Sequence, residues 1–234
     1  MPKNIVDKIA WWIPIRAVRD NFRNKINDYI NEAVSKKFEN YYKSCNSEIV
    51  NKYLLGLKGV EIGRASYANY GIGAINIDRV DIRKTDNDNV YFKEQMRYGN
   101  HITKVDLIAD GDNLPFKDNT LDFVFTSHVL EHFYDTIKAL QEWYRVIKNG
   151  GYIFMIIPHK ERTFDKDRER TTLEELINRH NQIIKTEEQF TDMHHSVWIT
   201  EDVLELCKYL KMNVVEYHDM DDCRHDGFII VIQK

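Results

Sequence analysis

"DLIADGDNLPFKDNTLDFVFTSHVLEHFYDTIKALQEWYRVIKNGGYIFMIIPH", Asp106–His159, carries the alternation that decides the fold. "LDFVFTS" and "GYIFMII" are short apolar runs rich in β-branched and aromatic residues, as buried strands are. Between them, "TIKALQEWYRVIK" places Ile137, Leu140, Trp143, Tyr144 and Ile147 at steps of three and four, which is one face of a helix. "NGG" is predicted to end that helix as a C-cap. Strand, helix and strand in succession imply neighbouring parallel strands with the helix packed on the sheet.

Working outward, "KGVEIG", "GAINID" and "KVDLIAD" read as three earlier strands. Later, Thr200 is the predicted cap of a helix over "EDVLELCKYLK", and "NVVEYH" and "FIIVIQK" follow as strands. Only "DMDDCRHDG" separates these two, so an antiparallel edge hairpin is expected. The predicted class is α/β: a doubly wound, Rossmann-like sheet with an antiparallel C-terminal edge hairpin, an N-terminal helical arm and an inserted lid. A single domain over 1–234 is expected, with the arm at 1–56, the ligand-binding core at 57–158, the lid at 159–199 and a closing helix and strands at 200–234.

The arm shows apolar positions at Phe22, Ile26, Tyr29, Ile30, Ala33, Val34, Phe38 and Tyr41, which predicts a long amphipathic helix after Pro14; a second helix is expected over Ser47–Leu55. The lid segment breaks the strand–helix alternation and is polar, rich in Arg, Glu and His. Thr172 with Glu175 forms a capping box, so a helix starts there. Excursions of this length between regular elements more often serve function than fill space.

With 234 residues, 43% hydrophobic and 30% charged, the chain can bury one large core. The net charge of −4 argues against a nucleic-acid partner. Residues 1–43 carry a balance of +4, which suits either a solvated helix face or a surface of phosphates. Cys45, Cys207 and Cys223 are odd in number and far apart, giving neither a disulfide framework nor a zinc pattern; reduced thiols and a cytoplasmic location are expected. Charges interrupt the apolar start of the chain, so it lacks a signal-peptide core, and no stretch approaches the ~18 apolar residues of a membrane helix.

"GVEIGRASYANYGIGAINID", Gly59–Asp78, has an acid and a glycine at the end of one strand and an acid at the end of the next. Glu61 and Gly63 allow a sharp turn beneath a ligand, and the Asp78 carboxylate suits a pair of ribose hydroxyls. The phosphate-binding G-x-G-x-x-G pattern is absent: Arg64, Ala65 and Ser66 follow Gly63, so a pyrophosphate cradle is poorly supported. Strand-end acids also cap turns, which is the alternative for Asp78 and Asp110.

Taken together, the acid-x-acid-x-Leu-Pro-Phe segment Asp110–Phe116, the strand "LDFVF", "VLEH" at Val129–His132 and "RVIKNGG" at Arg145–Gly151 strongly resemble the core of class I S-adenosylmethionine-dependent methyltransferases. The resemblance spans about 59–159 and departs at Arg64–Gly71, where the usual glycine-rich turn is missing. It implies S-adenosyl-L-methionine as cofactor. By position, it puts Glu61 and Gly63 under the methionine moiety, Asp78 on the ribose, Asp110 on the adenine amino group and Gly111 beside the base. Ser127 and His128 would then approach the sulfonium. An adenosyl cofactor without phosphate needs no phosphate nest.

Methyl transfer to a hydroxyl also needs a group to take its proton, best one titrating near neutrality. His159, just past the fifth strand, is the first candidate base, with His128, His194 and His195 as alternatives. Lys160, Arg162, Arg168 and Arg170 could hold an anionic acceptor, although Glu161, Asp165, Asp167 and Glu169 interleave as on an ordinary charged loop. "HVLEH" also fits the H-x-x-E-H spacing, in which His128 and His132 would share a helix face and bind zinc. Its third ligand is not evident, and no metal ligand is assigned. A divalent ion held by His159, Asp165, Asp167 or His194 with water is a further alternative.

"WWIPIRAVRDNFRNK", Trp11–Lys25, resembles segments of bacterial surface-polysaccharide enzymes, glycosyltransferases among them. That resemblance implies a capsule or glycan pathway and a peripheral contact of the arm with the inner membrane face through Trp11 and Trp12. The expected reaction is methylation of an oxygen, less readily a nitrogen, on a small anionic or sugar metabolite such as a nucleotide-linked sugar. Two rivals stand beside it: a metal-dependent hydrolase built on the histidines, and a methyltransferase-fold binding module without catalysis.

Overall fold

The structure is a computed structural model that describes residue 25 and residues 45–64, 69–81, 83, 92–93, 103–182 and 193–234. Apart from residue 25, the arm helix expected after Pro14 and the two tryptophans lie outside the described residues, as does half of the departing loop, 65–68. The chain divides into two compact units, Met1–Lys43 and Ser44–Lys234. The second contains every element named below.

Its first helix, α1 (Glu48–Leu54), starts where Ser47 accepts the Val50 N–H. The sequence reading assigned this helix to the arm. Instead it belongs to the core unit, because Val50 and Leu54 are fully buried among Phe123, Phe125, Phe154, Ile229 and Val231.

The strands are β1 (Gly59–Ile62), β2 (Ile75–Asp78), β3 (Leu107–Ile108), β4 (Leu121–Ser127), β5 (Ile147–Pro158), β6 (Asn213–His218) and β7 (Gly227–Gln233). They form one seven-stranded sheet in the order β3-β2-β1-β4-β5-β7-β6. The first five are parallel; β7 runs antiparallel to both β5 and β6, which is the expected edge hairpin. Burial follows the two-residue period of a sheet covered on both faces. Ile153, Met155 and Ile157 of β5 face one core together with Phe228, Ile230 and Ile232 of β7, while Phe154, Ile156, Ile229 and Val231 face the other.

On the first face lie α2 (Thr136–Val146) and α4 (Thr200–Tyr209), with α3 (Leu173–His180) from the lid. Asp135 caps α2 by accepting the Lys138 N–H, and Ile137, Leu140 and Trp143 bury its apolar stripe. The "NGG" C-cap is corrected: α2 ends at Val146, and Ile147 already pairs with Leu121 in the sheet. The β4–β5 register then shifts between Leu121 and Phe123, so Asn149–Gly151 form an irregular loop within β5. A Cβ on Gly151 would lie 2.7 Å from the Asp122 carbonyl oxygen, so that position excludes a side chain. Thr200 is likewise the first helical residue of α4 rather than its cap; Asp202 accepts the Ile199 N–H instead. Thr172 caps α3 as the sequence predicts.

The expectation of three reduced cysteines is also corrected. Cys45 and Cys223 are joined in a disulfide across 178 residues, with Cα atoms 5.8 Å apart, and Cys207 alone is free and buried. The pairing depends on the β6–β7 loop folding back over the start of α1, where Ser47 donates to Asp222.

Candidate active site

Chain order reverses between β1 and β4: β2 and β3 extend the sheet to one side of β1, and β4 returns on the other. In an open parallel sheet, ligands bind at such a switch point, beyond the carboxyl ends of the strands. Glu61 lies in β1 and Asp78 ends β2, while Asp110 sits two residues after β3, so three acids stand on adjacent strands at one edge.

Gly63 turns the chain with φ 67° and donates to the Ile77 carbonyl at 2.8 Å. A Cβ there would meet Val129 Cγ2 at 2.8 Å, so the turn is pressed against the segment after β4. Glu61 is buried, with Arg64 Nε 3.7 Å from its carboxylate. Burial raises its pKa to about 7, and the Arg64 charge offsets this only in part. Asp78 is half-buried and accepts the Val80 N–H at 3.4 Å, whereas Asp110 is exposed. Gly111 is fitted to its neighbours: a Cβ would lie 2.7 Å from the Phe133 ring, and its carbonyl accepts the Trp143 indole N–H at 2.8 Å. These features fit an adenosyl cofactor, since three acids at one strand edge offer acceptors for hydroxyl and amine donors, and two glycines bring the backbone close to Val129 and the Phe133 ring.

At the end of β4, Ser127 Oγ lies 3.4 Å from the Tyr70 hydroxyl. His128 follows with φ 55°, a left-handed conformation that His tolerates better than most residues and that swings the chain over the edge. Its Nε2 lies 3.3 Å from Asp226 Oδ1, close enough for ion pairing but without hydrogen-bond alignment. Burial pushes the Asp226 pKa up, but His128 and Arg224 outweigh it and bring it down to about 2. Asp226 was not singled out in the sequence. It reaches His128 because the buried Asp221 carboxylate accepts the N–H groups of Cys223, Arg224 and Gly227 and shapes the whole β6–β7 loop.

The other histidines lie in the lid. His159 is nearly buried, and its Nδ1 accepts the Glu161 N–H at 3.2 Å while Nε2 faces Asp219 at 3.6 Å. Burial, then the Arg162 charge, lowers its pKa. Its lone pair is thus engaged at Nδ1, and it anchors the start of the lid. His194 Nδ1 is 2.6 Å from Asp165 Oδ2, and the His195 backbone N–H donates to the Glu131 carbonyl at 2.7 Å. The H-x-x-E-H zinc arrangement is corrected: Leu130–His132 form a short 3-10 turn, His128 precedes it and faces Asp226, and no helix presents His128 and His132 together.

Each of the four basic lid residues singled out in the sequence has an internal partner. Arg162 pairs with Asp219, Arg168 with Asp165, and Arg170 with Asp202, while Lys160 donates to the Lys166 carbonyl. Lys160, Arg168 and Arg170 nevertheless line an open cleft of about 530 Å³ together with Asp167, Glu169 and Asp202.

Residues 64–155 match a family described as "Methyltransferase domain". A protein of Methanocaldococcus jannaschii is 45% identical over 49 residues, 21% of each chain. A demethylmenaquinone methyltransferase of Corynebacterium urealyticum is 45% identical over 56 residues, 24% of each chain. The chain thus spans only about a fifth to a quarter of the length of these curated relatives. A crystal structure of a protein from Pyrococcus horikoshii OT3 superposes with a TM-score of 0.50 at 18% identity, covering 82% of this chain and 94% of that one, which shows a shared fold. The fold is the α/β Rossmann-like methyltransferase fold.

Proposed function

We infer that the protein is an S-adenosylmethionine-dependent methyltransferase and propose that it methylates an oxygen of a small, hydroxyl-rich acceptor of the sugar class. The observation that carries the cofactor is the set of acids Glu61, Asp78 and Asp110 at or just past the ends of adjacent strands beside the β1/β4 switch point, with Gly63 and Gly111 letting the backbone pack closely against Val129 and Phe133 there.

S-adenosylmethionine, when bound, supplies a methyl group already activated as a sulfonium. The protein's part is to bind, align and exclude water. Glu61 and Gly63 hold the aminoacyl end, Asp78 accepts both ribose hydroxyls, and Asp110 with Gly111 takes the adenine. Of the candidate bases, the reading favours His128, next to Ser127 past β4 and oriented by Asp226, for removing the acceptor proton. His159 is disfavoured because its acceptor nitrogen is already engaged.

For the acceptor, the mixed charge of the lid cleft offers both donors and acceptors, which suits hydroxyl groups better than a densely anionic or an apolar molecule. The likeness to demethylmenaquinone methyltransferases covers 56 residues, too few to carry over an acceptor. The resemblance of Trp11–Lys25 to surface-polysaccharide enzymes supports a glycan or capsule pathway and peripheral membrane contact of the arm. No helix among the described residues is long and apolar enough to cross a membrane.

Calorimetric titration with S-adenosylhomocysteine tests the cofactor reading. Binding in the micromolar range is expected, weakened about 100-fold in Asp78→Ala, since two hydrogen bonds to a charged group are lost at ~1.5 kcal/mol or more each. Unchanged affinity in that variant would remove the ribose assignment. With binding in place, uncharged sugars and related polyols are the first acceptors to screen, with nucleotide sugars next.

A further inference from the structure

Glu131 is completely buried, and neither of its carboxylate oxygens has a hydrogen-bond partner among the described residues. Its backbone, by contrast, is firmly held: the carbonyl accepts N–H groups from His195 at 2.7 Å and Ser196 at 3.2 Å. A buried carboxylate left bare costs several kcal/mol, so such groups are paired or bind a metal. Two imidazoles face this one. His132 Nε2 is 3.7 Å and His194 Nε2 3.8 Å from Oε1, and one ligand atom from each of the three residues fits within 4.8 Å of the others.

These separations are too long for hydrogen bonds. The two from Glu131 to the imidazoles lie within a few tenths of an ångström of the edge of a tetrahedron around zinc, about 3.4 Å for metal–ligand distances near 2.1 Å, and the two imidazoles, within 4.8 Å of each other, close on the ion as it binds. The surroundings point the same way. Asp165, itself buried, holds His194 Nδ1 at 2.6 Å, and Arg168 at 2.7 Å steadies the other Asp165 oxygen. A carboxylate on one imidazole nitrogen fixes the ring so that the other presents its lone pair, the usual support of a metal-bound histidine.

We propose that Glu131, His132 and His194 bind one divalent transition-metal ion of the zinc class, with Asp165 as the positioning carboxylate. Two nitrogens and one oxygen select zinc, cobalt or nickel over magnesium or calcium. Three protein ligands leave a coordination position for water or an acceptor oxygen on the side where the His132 side chain is 37% exposed. Glu131 and His132 come from the turn after β4 and His194 from the far end of the lid, so the ion fastens the lid to the sheet edge.

The test needs neither S-adenosylmethionine nor an acceptor, so its failure is separate from failure of the methyltransferase reading. Chelator-stripped full chain is titrated with zinc chloride by calorimetry and with cobalt chloride by visible absorption. One equivalent is expected, binding at about micromolar or tighter, with the intense d–d bands of low-coordinate cobalt and a raised melting temperature. His132→Ala, which removes a partly exposed ring and leaves the buried core alone, should abolish both, whereas Asp165→Asn should weaken binding about 10–100-fold. The exposed His218→Ala should match the wild type. No stoichiometric uptake of either ion, or uptake unaltered in His132→Ala and His194→Ala, overturns the site.

Discussion

Two sets of three carboxylates differ in how the chain assembles them. Glu61, Asp78 and Asp110 sit at or beside the ends of β1, β2 and β3, so the parallel sheet aligns them in chain order. Glu131, Asp165 and Asp226 come from a short turn, a 3-10 segment of the lid (Phe164–Asp167) and a hairpin loop, and each lies against a histidine. On the proposed reading the first set offers oxygens to the cofactor, while in the second Asp165 and Asp226 orient imidazoles and Glu131 joins two of them around the ion. Ligand binding then falls to residues placed by the sheet, and imidazole chemistry to residues placed by loops folded over it.

Several perturbations sharpen that division. The largest effect is expected from His128→Asn, which keeps a residue tolerant of the left-handed backbone but removes the base: kcat should fall about 10²–10⁴-fold with S-adenosylhomocysteine affinity unchanged. Parallel loss of affinity would merge the two regions functionally.

Next is the pH dependence of the unliganded protein. The fold raises the Glu61 pKa from 4.5 to about 7, which favours its protonated form. The stability Glu61 contributes is therefore full below pH 4.5 and is lost as pH rises through about 7. Glu61→Gln, which mimics the protonated acid, should match the wild type near pH 4.5 and exceed it above pH 7.5 by on the order of 3 kcal/mol. Melting curves across this range measure it, and identical slopes in the two proteins would refute the burial argument. The smallest effect belongs to Asp110→Ala. The side chain is exposed, so its loss should weaken S-adenosylhomocysteine about 10-fold and leave stability unchanged.

The sheet, its helices and the first set of acids were legible in the sequence because each follows a local rule. Apolar residues alternate in strands and recur every three or four in helices, and an acid at a strand end needs no distant partner to be noticed. The C-cap at "NGG" failed because sheet pairing captured Ile147 first, a tertiary preference overriding a turn signature. Glu131 was visible within "VLEH" but had no assigned role, since nothing nearby in the chain reveals that its carboxylate is buried.

The succession of strands and helices along the chain and the residue types at the strand ends were thus determined by sequence, through periodicity and short-range turn chemistry, whereas the order of the strands and the switch point belong to the assembled sheet. Only the tertiary structure decided that Cys223 meets Cys45, that Asp226 reaches His128, and that His194 returns to Glu131 across 63 positions of chain. Those contacts join segments that share no local pattern. They form when the lid and the β6–β7 loop close over the carboxyl edge of a sheet that the local patterns had already specified.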